Sequence, residues 1–574
     1  MTSTAAATPS VFDDRRRALE ARFPTWEPRT LGAHLTHTSA EFGDRPLVIT
    51  DDRTVTYADI DAWATRLADG LASIGVQPGD RVGIVMANYL EFIPLKFAVA
   101  RVGAVAIPFN YLYQRDELAY VLDQSECNAL ITMTGFGGLD QLAMLDDICP
   151  GWETNGGGQN LPHLRVIVQY STDGRTRDGV MTVDELDAAG VAAPGGADDS
   201  STTPDDNGDI LYTSGTTGSP KGVMVTHDAM QRTAYSSALA RAFQDGRRVL
   251  FSLPCYHMFG YVEGLLAAMY VGGAIIPRTA FSPEDYLASI ERHQATDILA
   301  VPTMAVALVE HPDRFTRDLS SCTAILSGAA PAPVWLWEKM RADLGISEIT
   351  TGYGMTECGG AMTLTRPEDS LETHSTTVGK PKFAGVAGMA DNGDLLCEYK
   401  TVDPTTGDDL PAGAEGELAS RGPTHMLGFW NKPEETTEAV RDGWMLSGDL
   451  GRVDDGGYLQ LTGRSKELYK SGGELVMPKE VEELLTKQPG VSQAYAIGVP
   501  DERWGEVGCA YIVAEDGADL DAEVLLDVCR QYLARFKVPK HILFIDAASL
   551  PTTPTGKVQK YRLVSQAVDA IRPR

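Results

Sequence analysis

The sequence predicts an α/β protein made of one large domain followed by a small one, on three observations. At 574 residues the chain exceeds what one hydrophobic core organises. From about Arg45, short apolar runs alternate with segments whose apolar residues recur at helical spacing. That alternation is the pattern of layered, largely parallel sheets covered by helices. Near Gly463 the composition shifts, and the residues beyond it read as a separate strand–helix unit. The expected domains are therefore residues 1–463 and 464–574.

The elements are taken in chain order. Pro46 to Thr50 and Thr54 to Tyr57 flank an Asp-Asp-Arg turn and read as a hairpin. Ile60, Trp63, Ala64, Leu67, Ala68 and Leu71 mark one helix face, which Gly75 ends. Arg81 to Met86 predicts a strand, Leu90 to Val102 a helix and Ala104 to Ile107 a strand. The stretches from Gly151 to Asn160 and from Gly190 to Asp209 are rich in Gly, Pro, Ser and Asp and are expected to be exposed loops. In the C-terminal part Pro478 opens a helix with Val481, Leu484 and Leu485 on one face. Strands are expected at Gln493 to Val499, Val507 to Val513 and His541 to Ile545, with a helix from Leu520 to Leu533 between the last two.

Composition narrows the function. Hydrophobic residues at 43% and charged residues at 22% are ordinary for a globular protein. The net charge of −30 is not, and it disfavours nucleic-acid backbones and anionic lipid as partners. Eight scattered cysteines without a CxxC pair predict reduced, buried thiols and a cytoplasmic protein. The N-terminus carries no secretory pattern, and the longest apolar stretch, Gly264 to Ile276, is too short to span a membrane. Within the acidic chain the C-terminal stretch is basic: Arg530, Arg535, Lys537, Lys540, Lys557, Lys560, Arg562, Arg572 and Arg574 against Asp546 and Asp569. That reversal suggests a surface that meets phosphates. Oligomeric state, a homodimer included, stays open.

The chemistry concentrates in a few segments. Asp209 to Gly222 is an apolar strand running into Ser, Thr and Gly and then Lys221. Glycines let backbone N–H groups converge, and hydroxyls and an ammonium add donors, which is what a polyphosphate needs. It is not a Walker A loop, because Pro220 precedes Lys221 and Gly222 follows it. No G-x-S-x-G elbow, H-E-x-x-H or Cys/His cluster of zinc spacing occurs.

Taken whole, this segment resembles the phosphate loop of the adenylate-forming superfamily of acyl-CoA synthetases, adenylation domains and luciferases, and most resembles the acyl-CoA synthetases. Further matches come in order along the chain: Ser327 to Pro331, Thr350 to Glu357 (a YGxTE motif), Trp444 to Asp449, Gly463-Arg464-Ser465-Lys466, and Pro551 to Lys557. The resemblance implies a large adenylate-forming domain and a small mobile one turning about Lys466. It implies that Thr213, Ser214, Gly215, Thr216, Thr217, Gly218 and Lys221 cradle the phosphates of ATP. Gly328, Ala329, Ala330, Gly352, Tyr353, Gly354, Met355 and Thr356 would border adenine and phosphate, with Asp449 and Arg464 on the ribose. Glu357, with Thr217, would hold Mg²⁺, since a hard cation takes carboxylate oxygen and shares the rest with phosphate and water. Lys557 would bridge the substrate carboxylate and the α-phosphate.

The implied reaction has two steps: a carboxylate attacks ATP to give acyl-adenylate and pyrophosphate, then the thiol of coenzyme A displaces AMP. Catalysis is expected from Lys557, Glu357, Thr213 and His257. The acyl pocket is expected from His257, Phe259, Gly260, Tyr261, Val301, Pro302, Met304, Ser327 and Gly328. Amino-acid-activating relatives place an acid near the start of this wall, whereas here none precedes Glu263, so an uncharged acyl or aryl group is expected. Lys470, Ser471, Gly472 and Gly473 would face CoA. Glu474-Leu475-Val476 departs from the family's Glu-Asn-Ile and leaves the pantetheine wall open. Few residues follow Lys557, which disfavours a fused carrier domain. A stand-alone acyl-AMP ligase serving a carrier protein is the alternative. A nucleotide-binding protein without catalysis is the alternative of another class, and Lys221, Glu357, Asp449 and Lys557 speak against it.

Overall fold

A computed structural model describes residues 10–213, 220–328, 332–464, 467–471, 474–501, 505–533, 536–553 and 558–571. The chain packs as two compact α/β units. The larger holds residues up to 398 together with 421–445; the smaller holds 399–420 and 446–574. Residues 399–420 and 446–463 thus pack with the C-terminal segment.

The larger unit contains two broad sheets. Among the described residues one has nine strands and the other seven. The middle of the nine-stranded sheet is parallel, running Pro46–Ile49, Ala274–Pro277, Arg248–Phe251, Asp297–Ala300, Ala324–Ser327 and Glu348–Met355 across neighbours. Its antiparallel edges are Thr54–Thr56 on one side and Gly360–Leu364 with Lys380–Pro381 on the other. In the seven-stranded sheet, Val166–Tyr170, Ala129–Met133, Arg81–Val85, Val105–Pro108 and Asn207–Thr213 are parallel, and Lys221–Thr226 and Gly428–Phe429 close it antiparallel. The parallel strands are short and almost wholly buried: Ala129–Met133, Ala274–Pro277, Asp297–Ala300 and Ala324–Ser327 are buried at every residue. They read as continuous apolar runs because helices cover both faces.

Among the described residues the smaller unit carries a five-stranded sheet in which Val491–Asp501 and Gly505–Ala514 pair over their length as antiparallel neighbours. His541–Phe544 joins it in parallel. Helix Pro478–Thr486 buries Val481 and Leu485, and helix Lys560–Ile571 buries Leu563 and Ala567, in both cases residues four apart on one face.

Two stretches expected to be exposed loops are so only in part. Gly151 to Asn160 contains the helix Trp152–Asn155, and Trp152 is buried. A Cβ on Gly157 would lie 2.1 Å from the Leu161 carbonyl oxygen, so this glycine serves close packing. Gly190 belongs to helix Val183–Ala192, where a Cβ would stand 1.8 Å from the Arg66 carbonyl oxygen of the facing helix Tyr57–Ser73. The true connection is shorter and ends at strand Asn207–Thr213. All eight cysteines are free and buried, as expected. No helix among the described residues is long and apolar enough to cross a membrane.

Candidate active site

In the larger unit four neighbouring parallel strands deliver the candidate residues to one edge. Ala300 pairs with Ser327 and Ser327 with Thr351, so Val301 with Pro302 and Gly328 leave the sheet beside Gly352 and Tyr353, which continue in strand Glu348–Met355 against Gly360–Leu364. Arg248–Phe251 ends on the same side and leads into Pro254 to Tyr261. Loops beyond the carboxyl ends of parallel strands are where open α/β sheets bind ligands. The convergence is tight: a Cβ on Gly328 would lie 3.4 Å from the Phe259 ring and 3.7 Å from the Gly352 carbonyl oxygen. The Ser327 hydroxyl is buried and has no hydrogen-bond partner among the described residues.

The Tyr353–Glu357 turn is locked by glycine. A Cβ on Gly354 would come within 1.9 Å of the Gly360 carbonyl oxygen, and one on Gly352 within 2.4 Å of Leu364. Thr356–Cys358 forms a single 3₁₀ turn, followed by Gly359 and Gly360 at φ of 78° and 124°. The Met426 amide donates to the Glu357 carbonyl at 2.8 Å.

Thr213 and Lys221 face each other across the antiparallel pair at the mouth of the phosphate segment. The Lys221 ammonium lies 4.9 Å from the centre of the Phe429 ring. Ser214, Gly215, Thr216, Thr217 and Gly218 lie outside the described residues, as do Ala329 and Ala330.

On the acyl side His257 caps a short helix, its Nδ1 accepting from the Phe259 amide at 3.2 Å. That bond leaves the ring proton on Nε2. The ring edge keeps some solvent contact, yet close packing pushes its pKa down to about 4, so it is neutral at pH 7. Gly260 is required where a Cβ would meet the Leu253 carbonyl oxygen at 2.4 Å. Tyr261 is buried, with the Lys96 ammonium 4.7 Å from its ring centre. Lys96 is itself buried and paired with Asp209 at 2.5 Å. Val301 and Met304 are buried, and Pro302 opens helix Pro302–Glu310. Cys255 is a buried thiol whose pKa burial raises, which suits a packing role.

In the smaller unit, taken by itself, Asp449 pairs with Arg464 across strands Trp444–Val453 and Leu459–Arg464, and Asp449 is nearly buried. Ser471 pairs with Gly505. Thr552 and Val558 form a bridge that brackets the segment holding Lys557. Lys466, Gly472, Gly473 and Lys557 lie outside the described residues, and so do the side chains of Arg464 and Lys470. Among the described residues several of these basic side chains pair within their own unit: Lys540 with Asp501, Lys560 with Glu467 and Glu482, and Arg530 with Glu523 and Asp527. Most of these acids are distant in sequence, so charge counting along the chain missed them.

A model of AMP-binding enzymes matches residues 35–430, and one of their C-terminal domain matches residues 480–557. The chain belongs to the AMP-binding enzyme family. It is 35% identical over 539 residues to 3-[(3aS,4S,7aS)-7a-methyl-1,5-dioxo-octahydro-1H-inden-4-yl]propanoyl:CoA ligase of Mycobacterium tuberculosis, covering 93% of this chain and 98% of that protein. Over 550 residues it is 32% identical to the putative acyl-CoA synthetase YngI of Bacillus subtilis, covering 94% and 97%. The anthranilate CoA ligase AuaEII, solved with anthranoyl-AMP, superposes with a TM-score of 0.80 at 26% identity, covering 95% of this chain and 98% of that one. As an AMP-forming acid–thiol ligase, the chain activates a carboxylic acid with ATP through an acyl-adenylate to an acyl-CoA thioester.

Proposed function

We propose that the acid has an uncharged acyl or aryl group, held between the wall Pro254 to Tyr261 and the Ser327–Gly328 and Val301–Met304 segments. The observation that carries this reading is the state of the acids near the wall, since Asp209, close to Tyr261, is already paired with Lys96. The Glu263 carboxylate is buried and taken up by Ser237, Lys382 and the Ala361 amide, so it does not serve a substrate ammonium. The remaining wall offers aromatic and aliphatic side chains and neutral donors only: Nε2 of His257 and the Tyr256, Tyr261 and Ser327 hydroxyls. The His257 donor suits a carboxylate or carbonyl oxygen at the reacting end of the acid.

Within this reading Thr213 to Gly218 and Lys221 bind the phosphates, Tyr353 stacks on adenine, and Asp449 and Arg464 hold the ribose. Among the described residues no cluster of three His, Cys, Asp or Glu side chains could hold a metal. The single carboxylate of Glu357 fits a Mg²⁺ that takes its other oxygens from the nucleotide, water and Thr217. When bound, the ion would neutralise charge on the phosphates. Lys557 orients the acid's carboxylate against the α-phosphate, and the domain beyond 463 pivots at Lys466 to bring Ser471 and its neighbours to CoA. Both steps then depend on positioning and charge stabilisation, which need no strong protein acid or base. Buried reduced thiols accord with a cytoplasmic location.

Pyrophosphate release with a panel of fatty, aryl, amino and dicarboxylic acids, each with and without CoA, tests the reading. Turnover confined to uncharged acyl or aryl acids and completed by CoA supports it. Preference for an amino acid would refute the pocket assignment. Adenylation that CoA never discharges would favour the acyl-AMP ligase.

A further inference from the structure

We infer that Glu263, held by Lys382 and Ser237, is a positioning residue that fixes the acyl wall against the Tyr353–Glu357 turn. The inference rests on the assignment of those two segments to the acid and the nucleotide.

Glu263 lies in a π-helix, Tyr261–Leu266, which begins directly after the wall glycine Gly260. Such turns are rare and recur at functional sites. From this turn the carboxylate reaches three ways. Its Oε2 accepts from the Ser237 hydroxyl at 2.5 Å. Its Oε1 lies 3.6 Å from the Lys382 ammonium and accepts from the Ala361 amide at 3.4 Å. Lys382, with no exposed side-chain surface, also donates to the Thr233 carbonyl at 3.0 Å and to Ser237 at 2.7 Å. The Arg241 guanidinium donates to the backbone carbonyl of Glu263 itself at 3.0 Å.

What the carboxylate grips is significant. Ala361 stands opposite Gly354, and Gly360 opposite Met355, in the strand pair that carries the nucleotide turn. The register of that pair shifts between Tyr353 and Gly354, so Glu263 anchors the partner strand next to an irregularity in the ladder. Gly360 also packs onto helix His227–Ala240, where a Cβ would meet the Thr233 methyl at 3.1 Å. One buried ion pair therefore ties together the end of the acyl wall, the helix beneath it and the strand behind Glu357. A buried pair of this kind can often be replaced by apolar groups without loss of stability. Its value here is the fixed separation of two binding segments whose ligands must meet end to end.

The test uses the full-length double variant Glu263→Gln with Lys382→Met, which removes both charges at nearly constant volume. Melting and peptide-resolved hydrogen exchange check its fold. Binding of Mg·ATP alone, and of the best acid from the wild-type panel alone, should stay within about threefold of wild type by calorimetry. Adenylation kcat should fall about 10²-fold, the scale of a 1 Å misplacement, with KM values little changed. Thioester formation from pre-made acyl-AMP and CoA should hold its rate. Ser237→Ala, which removes one bond from the carboxylate, should lower adenylation several-fold and keeps the idea testable if the double variant does not fold. A loss residing wholly in one KM, equal losses in both half-reactions, or unchanged kcat in the folded variants would overturn the inference. A wild type that releases no pyrophosphate with any acid would instead overturn the functional reading beneath it.

Discussion

The two units handle charge differently. The larger one, besides exposed pairs such as Arg17–Asp14 and Arg115–Asp116, buries several outright. Arg241, Arg247 and Asp297 form a cluster with almost no exposed surface, and the pairs Lys96–Asp209 and Lys382–Glu263 are buried as well. It also buries His34, His227 and His374. Among the described residues the smaller unit sets no pair fully inside: Lys540 and Arg530 are more than half exposed, and Lys560, with Glu467 and Glu482, is half-buried. Buried charges fix geometry because moving one leaves an unpaired partner in a low dielectric. Exposed pairs contribute little and exchange easily. This contrast accords with the proposed division of labour, in which the larger unit holds the acid and the phosphates and groups of the smaller one change partners between half-reactions.

Acid should break that comparison most visibly. Burial holds His34 to about 3 and His227 and His374 to about 4, well below the free-imidazole value of 6.5. Between pH 6.5 and 4 the unfolded chain therefore binds protons that the folded chain does not, so stability falls as pH falls. Each such group costs up to about 1.4 kcal/mol per pH unit in that window. The smaller unit has only the part-exposed His541. Peptide-resolved hydrogen exchange at pH 7.5 and 4.5 should show the larger unit losing protection first. Equal losses in both units would remove the distinction. His374 should respond locally as well, since its Nδ1 lies 2.9 Å from the Thr365 hydroxyl that accepts from the Thr351 amide behind Tyr353.

Kinetics sharpen the same contrast. Lys557→Ala should slow adenylation by roughly 10²–10³, the scale of losing one preorganised electrostatic contact, yet leave thioester formation from acyl-AMP near normal. Glu357→Gln keeps the side-chain shape and removes the charge proposed for Mg²⁺, so pyrophosphate release should fall about 10²-fold even at saturating Mg²⁺. Lys466→Pro fixes φ at the proposed pivot. Acyl-AMP should then form while its discharge to CoA slows about tenfold. Parallel loss in both half-reactions, with an unchanged melting curve, would place the pivot elsewhere.

How far the sequence reached divides along the same line. The segments proposed for the nucleotide, Asp209 to Lys221 and Tyr353 to Glu357, could be named from the sequence because each is a run of contiguous residues. Strand and helix periods placed Arg81–Val85, Pro478–Thr486 and His541–Phe544 within a residue or two. Long-range partnership was not legible. Nothing near Glu263 announces Lys382, and nothing near Lys560 announces Glu467. The glycines of 156–158 looked like loop punctuation because the close-packed neighbours of Gly156 and Gly157, namely Leu161, Leu164 and Arg165, reveal themselves only in the fold.

The smallest expected effect concerns His257. Its Nδ1 is committed to the Phe259 amide, and its pKa of about 4 keeps the ring neutral from pH 6 to 8. If Nε2–H donates to the acid, KM for the acid should be flat across that range, since neither the histidine nor an ordinary carboxylic acid changes charge there. His257→Gln can offer an N–H from a similar distance and should raise KM only a few-fold. His257→Phe fills the volume without a donor and should raise it by about tenfold, near the 1.4 kcal/mol of one net hydrogen bond. ATP binding should move in neither variant. Equal KM values for the two would reduce His257 to a packed wall residue, and a KM rising as pH falls from 8 to 6 would mean that the ring titrates and is less buried than its contacts imply.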